Sequence, residues 1–213
     1  MTDSFVLGIA GGSGSGKTTL IGKILRSKFG SLVSVLPHDA YYLNKSAMPK
    51  ASRGGPPNWD HPKALDNQLY EQHIKTLLEG KAVDQPLYSF VTHSREDRVQ
   101  RVEAKPVLLL DGILLFAVPK LRKLMHLRVY IDTPAEERIV RRLLRDTKSV
   151  KEGGRGRTVT DVANQFRRTV RPMHDQFVEP SRAYAHLIIP GDGKVDHQPA
   201  IELLLARISQ VVA

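Results

Sequence analysis

Apolar runs rich in β-branched residues recur at positions 5–9, 32–36, 107–110, 127–131 and 187–189, with helical patterns between them. Short runs that are apolar throughout read as strands covered on both faces. Their alternation with helices predicts an α/β fold: a mostly parallel five-stranded sheet with helices on both faces, three layers in all. Leu65, Leu69, Ile74, Leu77 and Leu78 return at helical spacing and Gly80 closes that helix; Ile201, Leu204, Leu205 and Ile208 mark the last one. Two stretches interrupt the alternation. Residues 45–58 are rich in Pro, Gly and Lys and read as a mobile surface loop, whereas the lid predicted at about 146–158 carries Gly153, Gly154 and Gly156 as hinges. Alternating pieces between 87 and 102 predict a small antiparallel β excursion, spanning about 82–104, off the main sheet.

With 213 residues and 41% hydrophobic content, the chain can bury one substantial core, so residues 1–213 read as a single domain with appended loops. The absence of cysteine excludes disulfides, thiolate metal sites and a cysteine nucleophile. No apolar run approaches membrane-spanning length and the start lacks a signal-like segment, so a cytoplasmic protein with no membrane partner is expected. A net charge of +10 invites a nucleic-acid reading. Its distribution argues for another anion: many arginines fall between Arg138 and Arg182, and no nucleic-acid-binding motif accompanies them, so no nucleic-acid partner is expected.

That other anion is announced by Gly11, Gly12, Ser13, Gly14, Ser15, Gly16, Lys17 and Thr18, which follow the first apolar run and open a helical pattern. Small residues let the backbone wrap an anion with inward N–H groups, and the helix adds its positive end. Lys17 reaches the outer phosphates and the Thr18 hydroxyl can ligate magnesium, so a nucleoside triphosphate site of the P-loop type is predicted, extending to Thr19. Asp111 ends an apolar strand and is a second candidate on the magnesium side; a helix-cap role is the plain alternative. Asp39 follows the second strand in the same way, as either a turn residue or the carboxylate that accepts a hydroxyl proton during phosphoryl transfer.

Thr133, Pro134, Ala135 and Glu136 read as a capping box that starts a helix. On that helix Arg138, Arg141, Arg142 and Arg145 share one face, with Ile139, Val140, Leu143 and Leu144 on the other. A charge stripe is ordinarily a solvated face. This one is almost purely cationic and leads into Arg155 and Arg157 on the lid, which favours neutralisation of a transferring phosphoryl group. Tyr88 and His93, on the β excursion, could stack on and hydrogen-bond a heterocycle, although spacing alone does not single out His93 among the histidines.

Taken in order, the cradle, Asp39-Ala40-Tyr41-Tyr42, Asn58-Trp59-Asp60-His61-Pro62, Pro86-Leu87-Tyr88-Ser89-Phe90 with His93-Ser94-Arg95, Asp111-Gly112-Ile113-Leu114, Arg142 to Asp146, Arg155-Gly156-Arg157 and Val170-Arg171-Pro172-Met173 resemble the uridine-cytidine kinase family over nearly the whole chain. The resemblance implies ATP-dependent phosphorylation of the 5'-hydroxyl of uridine or cytidine in pyrimidine salvage, with Mg2+ as cofactor and GTP as an alternative donor. It implies Asp39 as the base, with Lys17 and Arg145 as its catalytic companions. Asp60, Arg142 and Gln165 become ribose contacts, Tyr88, His93 and Arg157 the base pocket with Tyr42 close by, and Arg145 and Arg155 phosphate contacts. Thr18 and Asp111 fall on the magnesium side. A homotetramer restrained by UTP or CTP is implied as well. The family usually carries Glu where Asp111 stands, a lid shorter than the one before Arg155, and different loops before Asn58 and at 190–194. The rivals are a P-loop kinase for another small alcohol, such as a sugar phosphate or pantothenate, and a P-loop switch, for which Asn44-Lys45-Ser46-Ala47 lacks the guanine-reading carboxylate.

Overall fold

The computed structural model describes residues 4–51, 55–191 and 198–212. Five parallel strands form the sheet in the order β2-β5-β1-β6-β7: β1 (Phe5–Ala10), β2 (Val33–Pro37), β5 (Val107–Asp111), β6 (Leu127–Asp132) and β7 (Leu187–Pro190). The registers Val6↔Leu108 and Ile9↔Val129 place β1 at the centre, and its six residues are buried on both faces. The five predicted strands are all present, each within a residue or two of its expected ends.

Strand alternation divides the interior in two. Phe5, Leu7, Ile9, Leu109, Val129 and Ile131 point to the layer of α1 (Lys17–Leu25) and α8 (Gln198–Val212), where Leu20, Ile24, Ile201, Leu204 and Ile208 meet them. Val6, Ala10, Leu36, Leu108, Leu110 and Tyr130 face α2 (Asn67–Leu78), the region of the short α3 (Pro119–Arg122) and a hairpin. Burial of roughly 1.5–3 kcal/mol per large apolar side chain makes these two layers the main source of stability. The hairpin, β3 (Val83–Ser89) antiparallel to β4 (Ser94–Val102) with a bulge between Pro86 and Tyr88, lies inside the predicted excursion.

One local reading needs correction, and two segments gain detail. The predicted capping box does not form: α4 (Ala135–Asp146) starts behind Pro134 without a side-chain cap among the described residues, and the Thr133 hydroxyl donates to the carbonyl of Ser15 at 3.0 Å instead. A tertiary contact that braces the cradle outbids a local one. The 45–58 segment carries a 3-10 turn at Lys45–Ala47 and a bridge between Lys50 and Pro57, while residues 52–54 lie outside the described residues, as do 192–194 of the predicted 190–194 loop. The lid is packed and ordered: Ser149 and Glu152 form a capping box, and the N–H of Arg157 returns to the carbonyl of Asp146 at 2.9 Å.

The segment after the lid is one continuous helical path with two widened turns. It runs through α5 (Val159–Gln165), a π turn at Phe166–Val170, α6 (Arg171–Met173), a second π turn at His174–Val178 and α7 (Glu179–Ser181). Each π turn ends two residues before a proline, Pro172 and Pro180. A proline ring collides with the carbonyl four residues back and has no N–H to offer, and a turn widened by one residue relieves both problems.

Candidate active site

The cradle takes the shape its glycines permit. Gly14 and Gly16 sit at φ +83° and +102°, in the left-handed region where a β-carbon is strained, and Gly16 leads into α1 with no side chain among the described residues covering its first N–H groups. Uncovered donors and the positive end of a helix suit an anion. The Lys17 ammonium lies back on the loop, donating to the carbonyls of Gly11 at 2.9 Å and Gly12 at 3.2 Å. Burial holds its pKa below the usual lysine range, against the pull of Asp111 and Asp39. Thr18 is exposed beside it.

Strand ends bring the acids to the same place. Asp111 terminates β5, the neighbour of β1, and Asp39 lies in the turn just after β2. One oxygen of each, Oδ1 in both cases, is buried and finds no hydrogen-bond partner among the described residues. Burial pushes the Asp111 carboxyl up to about 6, with Lys17 opposing and Asp39 adding to the rise. Two orphaned carboxylate oxygens beside a phosphate cradle are hard donors that suit Mg2+, which takes one or two protein carboxylates and draws its other ligands from phosphate and water.

Two cavities flank the cradle. One of about 330 Å³ is lined by Ser15, Gly16, Thr19, Leu20, Ile131 and Ile201, with Lys23, Arg141, Ile189 and Gly191 completing its wall. Its apolar walls beside the cradle suit a flat heterocycle. The other, about 40 Å³, is walled by Asp39, Tyr42, Trp59, Asp60, Phe90 and His93 on one side and by Arg142, Arg155, Arg157 and Gln165 on the other. Eight of the residues singled out from sequence or resemblance, namely Asp39, Tyr42, Asp60, His93, Arg142, Arg155, Arg157 and Gln165, meet at this one cavity. Tyr88 stands behind its wall, where its hydroxyl accepts from Trp59 Nε1 at 3.2 Å.

Charge inside this cavity is organised by buried partners. Gln165 Oε1 accepts from Arg142 Nη2 at 2.8 Å and from Arg157 Nη1 at 2.5 Å. Asp60 Oδ2 accepts from the Thr169 hydroxyl at 3.0 Å, across 109 positions of chain and within the first π turn. Burial raises the Asp60 pKa, with Arg142 and Thr169 holding it down. His93 adopts φ +56° at the hairpin turn, its ring 4.4 Å from that of Trp59. Burial and Arg157 depress its pKa to about 4, so the imidazole is neutral at physiological pH. Because Arg157 Nη2 donates toward Nε2 at 3.3 Å, the proton belongs on Nδ1, which is buried with no partner among the described residues. Arg155 lies over the ring of Phe90 at 4.2 Å and so ties the lid to the hairpin.

The arginine stripe on α4 is half turned inward, with Arg141 and Arg145 34% and 41% exposed. Arg138, Arg142 and Asp146 are buried, while Val140 and Leu144 on the opposite side are 52% and 63% exposed. This is the reverse of an ordinary amphipathic helix, and it is the arrangement expected where the ligand is anionic and the helix is built around it. Trp59, Phe90, Thr169 and Asp146 carry site geometry that residue-level reading did not assign; the first two lay inside motifs already noted, and Thr169 offers no local signal.

The sequence matches the Phosphoribulokinase / Uridine kinase family over residues 6–198. It is 44% identical over 207 residues to a uridine kinase of Anoxybacillus flavithermus, covering 97% of this chain and 94% of the relative. A uridine kinase of Chloroflexus aggregans is 43% identical over 203 residues, covering 95% of this chain and 93% of the relative. Among solved structures, a possible uridine kinase from Bacillus stearothermophilus superposes with a TM-score of 0.63 at 18% identity, covering 89% of this chain and 90% of that one. Phosphoribulokinase from Rhodobacter spheroides gives 0.67 at 14% identity, covering 93% and 74%. At such identities the two structures speak for the fold alone. Among the described residues no helix is long and apolar enough to cross a membrane.

Proposed function

Starting from a chain that belongs to the phosphoribulokinase / uridine kinase family and is a P-loop phosphotransferase, we propose that its acceptor is the 5'-hydroxyl of uridine or cytidine and its donor ATP. One observation carries the reading. A single cavity joins a carboxylate beside the phosphate cradle, Asp39, to a wall that offers a carboxylate, an amide and a neutral imidazole among aromatic rings. A sugar phosphate would need cations where Asp60 stands, whereas a ribonucleoside needs a vicinal-diol acceptor and a base reader, and the chemistry of Asp60 and His93 supports that reading.

The roles follow from chemistry. Asp39 accepts the hydroxyl proton as the phosphoryl group leaves ATP in line, and Lys17 and Arg145 offset the charge that spreads over the equatorial oxygens. Asp60 accepts from the ribose hydroxyls, and Arg142 and Gln165 close on the same sugar. The His93 Nδ1 proton suits a carbonyl oxygen of the base, with Trp59 and Arg157 fixing the ring and Tyr42 and Tyr88 behind it. The larger cavity, beside Thr19, takes adenine or, for GTP, guanine. Mg2+ would be held by Thr18 and Asp111 and would supply neutralisation of the donor's phosphate charge. With the reading go the wider expectations: one kinase domain over 1–213, pyrimidine salvage in the cytoplasm, a homotetramer, and restraint by UTP or CTP.

ADP release measured across uridine, cytidine, adenosine, 5'-deoxyuridine, ribulose 5-phosphate and pantothenate tests this directly. Uridine or cytidine should give the highest kcat/KM and 5'-deoxyuridine none; faster turnover of ribulose 5-phosphate or pantothenate would overturn the assignment. Within it, Asp60→Ala should raise the KM for uridine by roughly tenfold to a hundredfold through loss of a charged hydrogen bond, and leave the KM for ATP near its original value. An effect confined to ATP would mean the sugar lies elsewhere. Truncating His93 to alanine should compress the ratio of uridine to cytidine turnover, read from parallel kcat/KM values, and an unchanged ratio would remove His93 from base recognition.

A further inference from the structure

Three arginines of the candidate site converge on one side chain. Asp146, the last residue of α4, is fully buried. Its Oδ1 accepts from Arg145 Nε at 2.7 Å and lies 3.5 Å from Arg155 Nε; its Oδ2 lies 3.5 Å from Arg142 Nε. Its carbonyl accepts from the N–H of Arg157, so the lid both leaves and rejoins the body of the protein at this residue. Arg142 reaches the Ser13 hydroxyl at 3.3 Å and Gln165, and Arg155 reaches Phe90. One carboxylate therefore stands among three guanidinium groups and touches the cradle, the lid and the hairpin through them.

The imbalance has a purpose. Three like charges gathered without an anion repel, and long arginine side chains would swing out to water. A single buried carboxylate holds them at fixed spacing and leaves a surplus of positive charge for the phosphates. The arginines also depress the carboxyl's pKa: desolvation by burial would raise it, and the hydrogen bond from Arg145 with the charges of Arg155, Arg145 and Arg142 prevails.

We propose that Asp146 is a positioning residue: it sets Arg145 and Arg155 for the transferring phosphoryl group, holds Arg142 against the acceptor cavity, and pins the lid at both ends. The inference rests on the nucleoside-kinase reading for its catalytic consequence, while lid attachment does not depend on the substrate.

Two measurements on the full chain separate the cases. Asp146→Asn keeps shape and removes charge. It should lower kcat with uridine by about tenfold to a hundredfold at saturating ATP, and in an Arg145→Ala/Arg155→Ala background the same change should cost less than threefold. Undiminished loss in that background, or a kcat within twofold of the parent in the single variant, would overturn the proposal. Limited trypsin digestion reads the lid without any substrate. Cleavage after Lys148, Lys151 or Arg155 should accelerate at least fivefold in Asp146→Asn, and an unchanged rate would overturn the pinning role even if no nucleoside is phosphorylated. Should Asp146→Asn fail to fold, Asp146→Glu carries both tests, because it keeps the charge and displaces the arginines by one methylene. Reduced kcat with unaltered thermal unfolding would support positioning, and parental kcat would overturn it.

Discussion

Asparagine in place of Asp39 is expected to lower kcat for uridine by about a hundredfold or more while leaving uridine affinity within a few fold. A positioned base contributes roughly 10² to 10⁴ in rate, and the amide keeps the size but not the basicity of the carboxylate. The geometry favours this split between kcat and KM. Asp39 sits on the cavity wall nearest the cradle with one oxygen unengaged, whereas diol and base contacts are assigned to Asp60 and His93 on other segments. Steady-state kinetics with isothermal titration of uridine would check it. A variant with near-normal turnover would place the proton elsewhere.

Asp111→Asn should produce opposite effects on activity and stability. Activity should fall by about a hundredfold if Asp111 holds Mg2+ as proposed, since its carboxylate is replaced by a weaker, neutral ligand. Stability of the ligand-free protein should rise. The Asp111 carboxyl is buried and pushed up to about 6, above the value near 3.9 of an unfolded chain. The folded state thus binds more protons than the unfolded state between those values. Above about pH 6 the buried anion costs on the order of 2–3 kcal/mol, and the cost fades as pH falls toward 4. Removing the charge at neutral pH should raise the melting temperature by about 5 °C or more. Thermal scans at pH 7.5 and 5 provide the check: the gain should be large at the first and small at the second. A variant less stable than the parent at pH 7.5 would mean the carboxylate is satisfied in the ligand-free protein. The same proton competes with the metal, so the apparent Mg2+ requirement of the parent should climb as pH drops below about 6, and that climb should flatten in the variant.

What could be read from the chain in advance divides along a physical line. The cradle was legible because backbone wrapping of phosphate demands small residues in fixed local order, followed at once by a helix. The strands were legible because a doubly covered sheet leaves apolar runs. The α4 stripe was half legible. Its two faces follow from spacing, but which one turns inward depends on distant polar partners such as Gln165 and Ser13, and Leu144 at 63% exposure shows the usual rule losing. Thr133 followed a local capping rule on paper and a distant carbonyl in the structure. The grip of Thr169 on Asp60 was not legible at all: two ordinary residues 109 positions apart carry no shared pattern, and the bond exists only because a π turn aims the hydroxyl there. Trp59 and Tyr88 exchanged apparent prominence for a similar reason, since neither spacing nor type tells which ring forms the wall and which supports it.

The widened turn before Pro172 makes the support of Asp60, on the wall of the acceptor cavity, sensitive to residue count rather than residue identity. It holds one residue more than a regular helical repeat. Loss of a single codon between Gln165 and Thr169 would therefore wind Thr169 about 100° around the axis relative to the preceding helix and off Asp60. Substitutions along the outward side, at Arg167 or Arg168, leave that phase intact. In-frame deletions should thus be far rarer than point changes among functional variants of this stretch, and the reading frame of the helix, more than its composition, is what selection has to guard.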